Sequence, residues 1–245
     1  MSVRSILSKF TPCDVSDALV NFGVKNGGYI PNLIQRSSIG NTPNSGASSV
    51  VGQAYTVLYA AKSDPRPAVK QSYIDEIPKD SVLVLGLTPD LQTPDAPYVT
   101  INNALYGGLM STRANYREAA GSVVLGRIRD LDEHRNLKYP VWSYGVGSTA
   151  PGPVVKVVGI NVPISVKVAG ALEPIIIKPQ DYIIADENGV VRLPVGHEKG
   201  DEAKVELEKV LEYIPKRVDA DEHVREDITK GRPAAEAQKF WRSKI

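Results

Sequence analysis

Seven of the nine residues in Arg127-Ile128-Arg129-Asp130-Leu131-Asp132-Glu133-His134-Arg135 are ionisable. They sit in a chain of 245 residues whose 29 Lys and Arg nearly balance 28 Asp and Glu. The run follows directly on residues 122–128, which have the apolar texture of a buried strand. In open α/β sheets, ligands bind beyond the carboxyl ends of strands, so these side chains stand where chemistry is done. A guanidinium suits a substrate carboxylate, which it holds by charge-assisted and bidentate bonds. A neighbouring carboxylate suits Mg²⁺, which keeps several waters and needs only one or two protein ligands. The same composition also suits a solvated helix start braced by its own ion pairs, since acidic residues favour a helix N-terminus.

A second feature stands upstream. Gly107-Gly108-Leu109-Met110 opens an apolar-spaced stretch. Two glycines inside a helix would cost about 1 kcal/mol each relative to Ala, so the helix is expected to begin at the pair. Its free amides would then form an anion site, although a close-packed turn is the simpler use of Gly-Gly. Arg129 lies 21 positions after Gly108 (129 − 108). A helix of about 12 residues travels roughly 18 Å out, and a strand of about six travels roughly 20 Å back. Arg129 and Asp130 should therefore return beside the glycine amides. A 2-oxo acid held there could chelate the metal, which as a Lewis acid would stabilise an enolate at carbon 3. That electron sink serves both retro-aldol cleavage and decarboxylation of a 3-carboxy-2-oxo acid.

The elements that must position these residues read as follows. Residues 2–22 are helical in pattern, with Asp14 or Ser16 as a cap and Gly23 as a stop. Residues 36–48 are Ser, Gly and Asn-rich and read as a loop. A strand is expected over 50–61, a short helix over 68–77, a buried strand over 81–86, a proline-rich loop over 88–97, a helix over 109–120 and a buried strand over 122–128. Short β-branched runs at 154–160, 162–168, 174–177, 182–185 and 190–193 suggest hairpins or a small barrel. Val205, Leu207, Val210, Leu211 and Ile214 recur at helical spacing, and a second helix is expected over 219–230, closed by Gly231 and Pro233. The chain thus divides into an N-terminal helical segment and loop (1–48), an α/β core (49–195) and a C-terminal helical extension (196–245), forming one structural domain.

Gly108, Arg129-Asp130 and Glu133 resemble the motif of the HMG/CHA aldolase family: Gly, twenty residues, Arg-Asp, two residues, then Glu or Asp. HMG/CHA denotes 4-hydroxy-4-methyl-2-oxoglutarate and 4-carboxy-4-hydroxy-2-oxoadipate. The family includes the RraA-like regulators of ribonuclease E. The resemblance runs from about residue 11 to 194 and includes Asp14-Val15-Ser16-Asp17-Ala18-Leu19, Tyr106 to Met110, Gly126 to Arg135 and Asp186-Glu187-Asn188-Gly189-Val190-Val191. The middle segments and the C-terminal extension look most like its fungal branch. The resemblance implies an α/β, swivelling β/β/α-type single domain with a central sheet or barrel and helical N- and C-terminal extensions. It implies a homotrimer or a dimer of trimers, with sites near subunit interfaces. It further implies a metal-dependent class II pyruvate aldolase that also decarboxylates oxaloacetate. On the matching positions, Asp130 would hold the divalent metal, Mg²⁺ first and Mn²⁺ second. Arg129 would bind substrate carboxylate or enolate oxygen. Gly107, Gly108, Leu109 and Met110 would offer backbone amides, and Glu133 fills the last catalytic position of the motif.

Other function classes fit less well. A non-catalytic RraA-like protein that binds a ribonuclease is the main alternative, and retention of the whole motif argues against it. A Schiff-base aldolase lacks a lysine anywhere in residues 107–135. The charge balance excludes a polybasic nucleic-acid surface. No apolar run approaches the roughly 20 residues that span a bilayer, and no secretory leader is evident. Cys13 is the single cysteine, so a reducing compartment is expected. Ser243-Lys244-Ile245 falls one residue short of a peroxisomal address, which leaves the cytoplasm as the expectation and the peroxisome as a lesser alternative. His134, His197 and His223 lack zinc spacing. His134 suits either a supporting place near the site or a surface ion pair. Cys13 reads as a small packing residue, Asp14 and Asp17 as helix caps, Gly145-Val146-Gly147-Ser148 as a turn and Asp186-Glu187-Asn188-Gly189 as a hairpin turn. Trp142, Tyr144 and Tyr106 suit pocket or core alike.

Overall fold

The computed structural model describes residues 2–38, 49–195 and 206–245. Two short helices open the chain, α1 (Val3–Leu7) and α2 (Pro12–Asn21). Thr11 caps α2, not Asp14 or Ser16: its hydroxyl accepts from the Asp14 amide at 3.2 Å, and the Asp14 carboxylate accepts from the Thr11 amide at 2.8 Å. This reciprocal pair satisfies two otherwise free amides. Strands β1 (Tyr29–Ile30) and β2 (Ile34–Ser37) follow, so the N-terminal segment also feeds the sheet. Most of the loop expected over 36–48 lies outside the described residues, and Arg36 and Ser37 belong to β2.

The central elements are β3 (Val50–Ala61), β4 (Val82–Leu87), β5 (Ala104–Tyr106), α3 (Gly108–Tyr116), β6 (Gly121–Ile128), α4 (Leu131–Asn136) and β7 (Val141–Val146). β8 (Val155–Ile160), β9 (Ile164–Val166), β10 (Ile175–Ile177), β11 (Tyr182–Asp186) and β12 (Gly189–Leu193) come next. The helices α5 (Leu207–Thr229) and α6 (Ala234–Arg242) end the chain. One sheet of ten strands runs β1-β12-β11-β3-β4-β6-β7-β2, with β5 beside β6 and β8 beside β3. The steps β3–β4, β4–β6 and β6–β7 are parallel, and the flanks are antiparallel. This is a mixed α/β domain built on one large sheet.

Strand β4 shows why the sheet is covered on both faces. Leu83, Leu85 and Leu87 pack into one apolar cluster with Tyr106, Val124 and Ile128. Val82 and Val84 point the other way, into a second cluster with Val123, Leu125 and Trp142. Each such side chain contributes about 1.5–3 kcal/mol when fully buried. A third cluster joins Val15, Ala18 and Leu19 of α2 to Ile184, Val191, Val210 and Ile214.

Several elements differ from expectation. The run 68–77 is no helix: only Tyr73–Asp75 forms a single tight turn, and Val69 N–H instead donates to the Val157 carbonyl of β8 at 2.9 Å. The β-branched runs do not make a separate barrel. β11 and β12 form a hairpin inside the main sheet, β8 joins β3, and β9–β10 alone stand apart. The two C-terminal helices expected to meet near 215–218 are one helix, α5, which passes through Pro215. Val210 and Ile214 before the proline and Ala220 and Val224 after it are all buried, so packing on both sides holds the axis together. Cys13 is exposed, not packed. No helix among the described residues is long and apolar enough to cross a membrane.

Candidate active site

Helix α3 begins at Gly108, with Gly107 as its N-cap in extended conformation. The glycine pair therefore stands where strand β5 ends and the helix starts. The return path differs from the simple cancellation of lengths. Nine residues of helix and eight of strand span about 14 Å and 26 Å. Parallel pairing of β5 with β6, with Tyr106 opposite Ile128, sets the two strand ends side by side. Asp130 accordingly arrives at the glycines: Gly108 N–H donates to its Oδ2 at 3.2 Å. Arg129 Nε lies 3.3 Å from the same oxygen. Glu133 closes the other side, near enough that any Cβ on Gly108 would overlap its carboxylate.

The backbone between strand and helix is bent to make this possible. Arg129 N–H donates to the Tyr106 carbonyl at 2.9 Å, extending the β5–β6 pairing by one residue. Asp130 then takes φ 60° and ψ 48°, a left-handed conformation rarely adopted by a residue with a Cβ. Such a geometry costs on the order of 1 kcal/mol and persists only where surrounding bonds hold it. The Asp130 carbonyl accepts from Glu133 N–H at 3.0 Å, starting helix α4.

The expected site residues thus converge, with one revision. Not all the helix-start amides are free. Gly108 N–H is taken by Asp130, and Met110 N–H donates to the Gly107 carbonyl at 3.0 Å. Short helices often start with such a tight bond, and the chain's own carboxylate occupies the anion position. Leu109 is 72% exposed and Met110 packs on the core. The side chains of Arg129 and Asp130 are 38% and 34% exposed, so the site is open to ligand in the single chain.

Among the described residues no group of three or more His, Cys, Asp or Glu gathers as a metal cage. The donors present are Asp130, whose two contacts fall on Oδ2 and leave Oδ1 available, and Glu133 across the turn. One or two carboxylates with room for water suit Mg²⁺ and Mn²⁺, and would not suit a closed zinc site.

The structure adds residues that the sequence left open. His134 is fully buried, not a surface ion-pair partner. Its Nε2 lies 2.7 Å from the Arg129 carbonyl and its Nδ1 2.8 Å from Ser111 Oγ. Burial pushes its pKa below the usual histidine value, against the opposing pull of the Arg129 carbonyl and of Asp130 and Glu133. Ser111 carried no signal beyond its place one helical turn after Gly108. Trp142 and Tyr106 are core residues, and Trp142 donates to the Asp186 carbonyl at 2.8 Å. Gly145 and Val146 end β7 instead of forming a turn.

A family model described as RraA-like, Aldolase/RraA, matches residues 12–192. The chain belongs to the RraA-like family. A Halalkalibacterium halodurans protein named as a 4-hydroxy-4-methyl-2-oxoglutarate aldolase is 31% identical over 177 residues, covering 72% of this chain and 70% of that protein. Protein DlpA of Legionella pneumophila is 27% identical over 198 residues, which is 79% of this chain but only 28% of DlpA. This RraA-like chain also shares its fold with Streptomyces coelicolor RraAS2, described as an unusual member of an RNase ES inhibitor family. The TM-score is 0.65 at 19% identity, over 94% of this chain and 96% of that one.

Proposed function

We propose that this RraA-like chain is a divalent-metal-dependent lyase. It cleaves 4-hydroxy-4-methyl-2-oxoglutarate or a related 4-hydroxy-2-oxo diacid to pyruvate, and decarboxylates oxaloacetate. The observation that carries the reading is the meeting of the Gly108 turn, the Arg129 guanidinium and the Asp130 and Glu133 carboxylates at one helix start. The aldolase name of a 31% identical relative points the same way.

The residues divide the work as follows. Asp130, through Oδ1, would hold Mg²⁺ or Mn²⁺, with Glu133 as the neighbouring carboxylate. The cation, when bound, supplies a Lewis acid for the 2-oxo group. Arg129 binds the substrate carboxylate beside it and offsets the negative charge that grows on the 2-oxo oxygen as the C3–C4 bond breaks. The start of α3 at Gly108 adds the positive end of a helix dipole to the same position. Decarboxylation of oxaloacetate breaks the corresponding bond with carbon dioxide as leaving group, so the same charge develops in the same place. Assembly as a homotrimer or dimer of trimers would cover the exposed Leu109 and Val146 and complete the open side of the site.

Pyruvate release from 4-hydroxy-4-methyl-2-oxoglutarate by the purified protein tests the reading. Chelation with EDTA should abolish turnover, and added Mg²⁺ or Mn²⁺ should restore it. Full turnover in a chelated sample, or none on any 2-oxo diacid with metal present, would defeat it.

A further inference from the structure

His134 and Ser111 touch neither the metal position nor the substrate, yet they bind the two halves of the site together. The Arg129 carbonyl can only accept, so His134 Nε2 carries the proton and donates to it at 2.7 Å. In the neutral ring Nδ1 then accepts from the Ser111 hydroxyl at 2.8 Å. Ser111 Oγ also lies 3.1 Å from the Tyr106 hydroxyl. Ser122 stands 3.0 Å from Tyr106 and Tyr139 stands 3.1 Å from Ser122, and hydroxyl rotors allow every donor in the chain a partner. The ring of His134 lies parallel to that of Tyr106 at 5.8 Å. One buried network thus joins α3, β5, β6 and α4.

We propose that His134 is a positioning residue for the Arg129–Asp130 turn. The Arg129 residue is gripped from both ends: its N–H donates to Tyr106 and its carbonyl accepts from His134. The peptide between Arg129 and Asp130 is therefore fixed in plane. Loss of the grip on its carbonyl frees that peptide to flip, which lets Asp130 leave its left-handed φ and carries its carboxylate away from Gly108 N–H. Ser111, one turn along α3 from Gly108, sets the distance between the glycine turn and the Arg-Asp pair through the same ring. The kinetic side of this inference rests on the lyase reading; the geometric side does not.

Three variants test it. H134F keeps an aromatic ring against Tyr106 and deletes both hydrogen bonds. H134Q has poorer packing but places an amide N–H where Nε2 stood. S111A removes the partner of Nδ1. H134F should lose about 10²-fold in kcat/KM, the scale expected for a misplaced constellation, and H134Q should recover most of it while melting at a lower temperature than H134F. Activity and stability would then rank in opposite orders, which a merely structural role does not produce. The amide resonance of Gly108, which reports its bond to Asp130, should move in H134F and stay near wild type in H134Q. Wild-type kcat/KM with an unmoved Gly108 resonance in H134F overturns the proposal. Should H134F fail to fold, S111A carries both readouts with the same expected directions. Absence of turnover in the wild-type protein would defeat the lyase reading alone, and the Gly108 resonance would still decide this one.

Discussion

A Cβ placed on Gly108 would lie 1.9 Å from Glu133 Oε2, 2.4 Å from its Cδ and 2.6 Å from its Cβ. The last contact matters most, because Glu133 Cβ is fixed to helix α4 and does not rotate away. On Gly107 the nearest atoms are Asp130 Oδ2 at 2.8 Å and Arg129 Nε at 3.1 Å, both near the ends of side chains. Gly108→Ala should therefore force α3 and α4 apart. An overpacking cost of about 1–3 kcal/mol is expected, or about 2–12 °C in melting temperature for a chain of this size. Gly107→Ala should melt closer to wild type while displacing Asp130 and Arg129, so turnover falls more than stability. Circular dichroism melts beside pyruvate-release assays check the contrast, and a wild-type melt for Gly108→Ala would refute the steric argument.

Arg129 and Asp130 make the opposite case. Their 3.3 Å pair is more than a third exposed on the arginine side, and exposed pairs contribute about 0–1 kcal/mol. Arg129→Ala and Asp130→Asn should barely shift the melting temperature. Turnover of a 2-oxo diacid should nevertheless fall about 10²–10³-fold, as on removing one charge-stabilising group from a reacting oxygen. Arg129→Lys should fall between, since it keeps the charge and loses the planar fork. Wild-type rates in Arg129→Ala would remove the guanidinium from the mechanism.

These contrasts show which parts of the site were legible in the sequence. The spacing brought Gly107-Gly108 and Arg129-Asp130 to one place by lengths that do not in fact cancel; the parallel pairing of β5 with β6 sets their ends side by side. The strand β4 was plain, because a run such as Val82-Leu83-Val84-Leu85 fits only between two apolar layers. His134 could not be placed. It lies in a six-residue helix, too short for periodicity to separate its buried face from its charged one. Strands β2 and β7 were hidden for a related reason: Arg36 and Ser143 lack strand texture. They are held instead by partners 107 and 108 residues apart, where Arg36 donates to Ser143 Oγ and to the Tyr144 carbonyl. A break was expected between Ile214 and residue 219, where Pro215 stands, and distant packing overrode it.

The C-terminal pair of helices should respond to acid before the core does. Asp227 on α5 accepts from Trp241 Nε1 at 2.8 Å and from Arg232 at 2.7 Å, and so ties α6 back onto α5. The hydrogen bond from Trp241, then that from Arg232, holds the Asp227 carboxyl below its usual 3.8. The folded form thus binds its proton less readily than the unfolded chain does. Stability from this group is complete above about 3.8 and is lost as the pH falls through the lowered value. Trp241 also stacks on His223 at 4.3 Å, whereas Trp142 is buried in the core. Acidification below pH 4 should therefore shift Trp241 emission to the red before the far-ultraviolet signal of the sheet changes. Asp227→Asn, which keeps an acceptor for the indole but loses the charge facing Arg232, should remove that early step and leave α6 looser at neutral pH. An emission change that coincides with global unfolding in both proteins would show that Asp227 does not govern the docking of α6.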